Sequence, residues 1–141
     1  MSATVGDGPL HIHRAYNNQI MSTIAVSLGD SCIDHYLPPL DKNFIGGNAL
    51  NVAIHMQRAG LSTAYVGVVG SDRYAGEILR ALRGENVDVS HVQSAAGATK
   101  RANIRLTAGD KHTFIHDQQV PIPRLVLDDR TQAFVKRHQL V

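Results

Sequence analysis

Two short apolar runs, Ile24-Ala25-Val26-Ser27-Leu28 and Ala64-Tyr65-Val66-Gly67-Val68-Val69, constrain this chain more than anything else in it. Runs of that length bounded by glycine read as strands buried on both faces, which is how parallel sheets are built. Parallel neighbours need a crossover, and the residues between the runs supply one. Ala49, Val52, Ala53 and Met56 recur at helical spacing, and Gly60 stands where a left-handed residue ends a helix. Beyond the second run, in which Gly67 is read as letting a helix approach closely, Gly70-Ser71-Asp72 turns and caps a second helix. Its apolar stripe is Ala75, Ile78, Leu79 and Leu82, and Gly84 is the expected terminator. Strand, helix, strand, helix at these lengths predicts an α/β fold.

The crossover also carries the candidate site. Gly46 and Gly47 lead straight into the first helix, and without a Cβ they let the backbone lie close to a ligand. Asn48 is expected to cap the helix. Asn51 sits one turn on, its amide directed back at the same turn. Unpaired N–H groups and the positive end of the helix dipole make this a polar floor for a hydroxyl-rich or anionic small molecule. Gly29-Asp30-Ser31-Cys32-Ile33-Asp34 follows the first strand, and open α/β sheets bind ligands beyond the carboxyl ends of strands. Asp30 and Asp34 are therefore either site residues or turn caps. Pro38-Pro39 reads as a stiff, extended connector to the glycine pair.

Farther on, the grammar changes. Val87 to Val92 is a short extended segment, and Ala95-Ala96-Gly97-Ala98 is flexible. Ala102, Ile104 and Leu106 then alternate with Asn103, Arg105 and Thr107, and His112 to Asp117 returns after a turn at Ala108-Gly109-Asp110-Lys111. This is an antiparallel hairpin with one wet face, either part of a lid or a plain sheet edge. His112 and His116 stand ~13 Å apart along a strand, too far to share a metal ion. Pro121 and Pro123 mark a connector, Asp128 or Asp129 caps a last helix through Arg137, and Leu140-Val141 begins another buried strand. Residues 1–20 read as an unpacked tail. Its His11-Ile12-His13 is a flexible stretch or an adventitious metal binder, it has no apolar segment of a signal peptide, and Met21 is a sensible alternative start.

Composition removes several function classes. A net charge of +2 with scattered basic residues does not make the concentrated surface that nucleic acid needs. With no Trp there is little for base stacking. No apolar run approaches the ~20 residues of a membrane span. The single cysteine, Cys32, rules out an internal disulfide, points to a reducing cytoplasm, and reads as a structural thiol rather than a nucleophile. A dinucleotide site is disfavoured, because Gly29-Asp30-Ser31-Cys32 stands where G-x-G-x-x-G would open a helix.

Gly46-Gly47, Ala49, Asn51, Ala53, Gly60 and Gly70 together resemble the N-terminal signature of the ribokinase-like (PfkB) carbohydrate kinases, and the likeness runs from Thr23 to about Val141. Gly29 to Asp34, Gly46 to Ala53 and Gly84-Glu85-Asn86-Val87-Asp88-Val89-Ser90-His91-Val92 are most similar to the fructoselysine kinase branch. Ribokinases proper usually carry Lys and Gly at the places of Asn48 and Ala49. The resemblance implies a three-layer α/β core, here a partial one with a truncated parallel sheet, over 21–141. It also implies a small β-lid from segments at about 34–46 and 98–118. It further implies ATP with Mg²⁺ and transfer of the γ-phosphoryl group to a hydroxyl of a sugar or sugar-amine. By position, Asp34 would hold sugar hydroxyls, Gly46, Gly47 and Asn48 would line the pocket, and Asn51 would donate hydrogen bonds to the sugar. Lids of this kind pair into a homodimer in several members.

The family's Gly-Ala-Gly-Asp motif, which carries the catalytic base beside the ATP site, has no match here. The expectation is thus the sugar-binding half of a cytoplasmic kinase, a truncation inactive alone, with no catalytic, cofactor-binding or metal-binding residue in this chain. The other reading is a non-catalytic sugar-binding or lid-mediated interaction module. A parallel sheet cut at Val141 would expose an apolar edge and favour self-association.

Overall fold

The computed structural model describes residues 25–107, 109, 111–115, 121–138 and 140–141. The expectations for the tail 1–20, Met21, Ile24, Asp110, His116 and Asp117 lie outside the described residues.

β1 (Ala25–Leu28) is the first of the two apolar runs. Two strands of a different sheet follow it, β2 (Cys32–Tyr36) and β3 (Lys42–Gly46). Helix α1 (Asn48–Arg58) leads back to β4 (Thr63–Val66), which pairs with β1 in parallel from Ala25↔Thr63 to Leu28↔Val66. Leu140 flanks β1 on its other side, taking a 2.8 Å hydrogen bond from the Val26 N–H, but Leu140 and Val141 are exposed rather than buried. The second apolar run is split at Gly67: β5 (Val68–Val69) turns away to pair with β6 (Gln93–Ser94). A Cβ on Gly67 would collide with the ring and hydroxyl of Tyr65, so this glycine makes room for a neighbouring side chain, not for a helix.

Helices cover both faces of the β1–β4 pair, as the buried runs demand. Tyr65 points towards α1 and α2 (Arg73–Gly84), in one core with Ile33, Leu50, Ala53, Ile78 and Leu82. Ala64 and Val66 face the other way and pack, with Val26, against Phe134 of α3 (Asp129–Lys136). The result is a three-layer α/β arrangement.

Helix α1 buries Leu50 and Ala53, while Val52 is 49 % exposed. Its apolar face is therefore rotated from the Ala49-Val52-Ala53-Met56 stripe. The helix ends as expected: Gly60 at φ 93° donates to Gln57 O and Leu61 donates to Met56 O. Helix α2 starts on Asp72, whose carboxylate accepts from the Ala75 N–H at 3.2 Å. It ends two residues later than expected. Gly84 is its last residue, and Asn86 takes the left-handed position at φ 59°.

The remaining long strands are β7 (Arg101–Thr107) and β8 (Lys111–Ile115), an antiparallel hairpin. They join β2 and β3 in a four-stranded sheet ordered β3-β2-β7-β8, with β2 and β7 parallel. The hairpin does not divide cleanly into a wet and a dry face: Asn103 and Ile104 are both buried, while Leu106 and Phe114, on the face of Ile104, are exposed.

Candidate functional site

Asp34 belongs to β2, not to the carboxyl end of β1, and lies opposite Phe44 across the β2–β3 pair. Cys32 and Gly46 are the next partners on the same face. The Asp34 carboxyl group stands over Gly46 so closely that a Cβ there would sit 2.7 Å from its Cγ. The Cys32 thiol donates to Asp34 Oδ1 at 3.3 Å. Burial, then that hydrogen bond and the carboxylate's charge, push the thiol up to about 12, so it stays protonated near neutrality.

Gly47 is held by the chain as well. It has φ 112°, and a Cβ would lie 2.6 Å from both Asp30 O and Ser31 Cα. Gly47 is thus required by backbone packing and by its φ, whereas Gly46 leaves the space that the Asp34 side chain occupies.

The N-terminus of α1 differs from expectation. Gly47 is the N-cap and offers no side chain; Asn48 is the first helical residue, exposed, and not the cap. Asp30 does the capping from the β1–β2 loop. Its main-chain oxygen accepts from the Leu50 N–H at 3.3 Å, and its carboxylate accepts from the Ala49 N–H. That carboxylate also meets Lys100 Nζ at 3.2 Å. Burial pushes the Asp30 carboxyl up, but Lys100 and the backbone N–H groups together outweigh it and hold the group below its ordinary range. The positive helix end is therefore at least partly neutralised by the chain itself, which disfavours an anion there. Asn51 is exposed on the first turn, its backbone N–H bonded to Gly47 O at 2.9 Å.

Asp34, Gly46 and Gly47 thus come together at the root of the four-stranded sheet, and Asn48 and Asn51 follow on the exposed first turn of α1. An open cavity of about 480 Å³ lies elsewhere, between β1, α1 and Leu140; Asp30 and Asn48 reach it, but Val52, Met56 and Val141 make it apolar. Among the described residues, no three His, Cys, Asp or Glu side chains gather where they would hold a metal ion. No helix of the described residues is long and apolar enough to cross a membrane.

Gly70 is bound into a second cluster. A Cβ there would lie 2.5 Å from Gly97 O and 2.6 Å from Ala98 C, both backbone atoms. Thr99 Oγ1 accepts from the Gly70 N–H at 3.0 Å and donates to Asp72 Oδ1 at 2.7 Å, while the Thr99 N–H donates to Asp72 Oδ2 at 2.9 Å. The start of α2 is thereby locked to the strand that enters β7. Thr99 carries no local signal, because it acts on residues 27 and 29 positions away; Asp30 could be read as a turn cap, but nothing in residue order ties it to α1.

A sequence profile described as pfkB family carbohydrate kinase matches residues 22–120. Fructoselysine 6-kinase of Escherichia coli (strain K12) is 38 % identical over 91 residues, covering 64 % of this chain and 34 % of the relative. A fructosamine kinase of Bacillus subtilis (strain 168) is 29 % identical over 119 residues, covering 82 % and 42 %. Among solved structures, the fructokinase of Halothermothrix orenii superposes with a TM-score of 0.63 at 21 % identity, over 75 % of this chain and 41 % of that one. Arabidopsis thaliana ribokinase complexed with ribose and ATP gives 0.60 at 24 % identity, over 67 % and 36 %. The chain spans roughly a third to two fifths of the length of the relatives it matches.

Proposed function

The chain belongs to the pfkB family of carbohydrate kinases, and from that premise we propose that it is the sugar-binding part of an ATP-dependent, cytoplasmic kinase for fructoselysine or a similar sugar-amine. The observation that carries this reading is the Asp34 carboxyl group standing over Gly46, beside the glycine-led first turn of α1. A carboxylate in a half-buried position accepts two or more hydroxyl hydrogen bonds, each stronger for its charge. Asn51 adds an amide that donates from the first helical turn, and Gly46, Gly47 and Asn48 form the floor. Together they fix which hydroxyl is presented for phosphorylation, and positioning of that kind is most of what a phosphoryl-transfer site provides.

ATP supplies the phosphoryl group and Mg²⁺ its charge neutralisation in such a reaction. In this proposal the α1 N-terminus, already capped by Asp30, is not the phosphate site, and Mg²⁺ would be held mainly by the nucleotide's phosphates with one or two carboxylates. The base and the phosphate site belong, in this proposal, to the part of the kinase that the chain does not span. The four-stranded sheet serves as the lid, and β8, its edge strand among the described residues, would pair with a second copy.

Calorimetry with fructoselysine, beside an ATP-consumption assay, tests the proposal. Sugar binding without turnover is expected, and Asn51→Ala weakens binding with oligomeric state unchanged. Steady turnover by these 141 residues alone would refute the division of labour. The reading as a pure interaction module predicts the reverse for Asn51→Ala: altered association and no sugar effect.

A further inference from the structure

The sheet face that carries Asp34 continues outward as an ordered series of side chains. Strand alternation and register put Asp34 and Phe44, then Tyr36 and Lys42, then Leu106 and His112 on this one face. The Tyr36 ring packs edge-on against Phe44 at 5.4 Å and against His112 at 5.8 Å, and Ile104, the β7 partner of Tyr36, is only 3 % exposed. Phe44 nevertheless leaves 49 % of its surface open, and Lys42 is exposed. From root to tip the face therefore reads carboxylate, aromatic platform, ammonium.

We infer that this series is a specificity strip for an arm linked to the sugar through an amine: an aliphatic stem ending in a carboxylate-bearing amino acid head. The inference rests on the proposal that Asp34 holds the sugar. A secondary amine is cationic near neutrality, so beside the sugar it meets the Asp34 carboxylate and the negative faces of Phe44 and Tyr36. A methylene stem lies on the same rings, and two residues along the strand, about 7 Å farther out, Lys42 meets the head's carboxylate. A bare sugar would use only the root of the strip.

The test compares three probes on the intact chain by calorimetry: fructose, an N-butyl fructosamine, and fructoselysine. Affinity should rise in that order, with fructoselysine bound at least about tenfold more tightly than fructose. Phe44→Ala should shrink the gap between fructose and the N-butyl compound while fructoselysine stays the tightest of the three. Lys42→Gln should remove only the difference between the N-butyl compound and fructoselysine. Equal affinity for fructose and fructoselysine in the unaltered chain would overturn the strip and leave the sugar site standing. Failure of every probe to bind would overturn both. Phe44→Ala dispersing a dimer while leaving the affinity order intact would assign this face to a second copy and refute the inference.

Discussion

Thr99→Val removes one hydroxyl and keeps the shape, and the structure says what that costs. The hydroxyl receives the Gly70 N–H at 3.0 Å and donates to Asp72 Oδ1 at 2.7 Å in a side chain only 2 % exposed. Valine takes away the acceptor of the buried Gly70 N–H, a loss of about 1–3 kcal/mol. The bond to the charged Asp72 adds about 1.5–3 kcal/mol at most, of which the retained Thr99 N–H bond recovers a share. The expected destabilisation is therefore about 2–4 kcal/mol, a large part of the ~5–15 kcal/mol that holds a domain together. Urea unfolding followed by circular dichroism measures it, and with a slope near ~2 kcal/mol/M the midpoint falls by about 1–2 M. Thr99→Ser, which keeps the hydroxyl, should lose much less. A Thr99→Val midpoint indistinguishable from the unaltered chain would refute the claim that this hydroxyl ties α2 to the β7 strand.

Three further outcomes follow from the geometry. Gly84 is helical with nothing near the position of a Cβ, so Gly84→Ala should stabilise by about 0.5–1 kcal/mol in thermal melts. Cys32, raised to about 12 by burial and by Asp34, should resist iodoacetamide at pH 8 in the native state and react at once in urea. His91 stacks on Phe134 of α3 at 3.6 Å, and burial with the charge of Arg130 lowers its proton affinity. The unfolded chain then binds the proton more tightly. Stability from this contact is present above the unfolded histidine value and is lost as pH falls below it, and His91→Gln should flatten that loss in melts taken from pH 7.5 to 5.

Where the sequence was readable, it was readable for local reasons. Asp72 and Asp128 sit three residues before N–H groups they bond, and the α2 stripe repeats at a single spacing, so both caps and that face could be placed from residue order. Helix α1 could not be oriented the same way. Ala49, Leu50, Val52, Ala53, Ile54 and Met56 are apolar nearly all round, and tertiary contact chose Leu50 and Ala53. Strand β3, Lys42-Asn43-Phe44-Ile45-Gly46, has no clean alternation and reads as a connector; only its pairing with β2 makes it a strand. At the site, the glycine pair and Asp34 were legible by motif. The reason for Gly46 was not, because it is the Asp34 carboxyl group of a neighbouring strand that fills the space a Cβ would need. Asp30 could be read as a turn cap but not as the α1 cap, since the N–H groups it satisfies, of Ala49 and Leu50, are 19 and 20 residues away along the chain.

In the proposed function, Asp34 holds the sugar above the Gly46–Gly47 floor. The most direct measurement of this is the fructoselysine affinity of Asp34→Asn, determined calorimetrically beside the unaltered chain. Asparagine keeps the size but not the charge that strengthens each hydroxyl bond, so the account predicts affinity lower by about ten- to a hundredfold with the unfolding midpoint little changed. Unchanged affinity in a folded Asp34→Asn chain would contradict it.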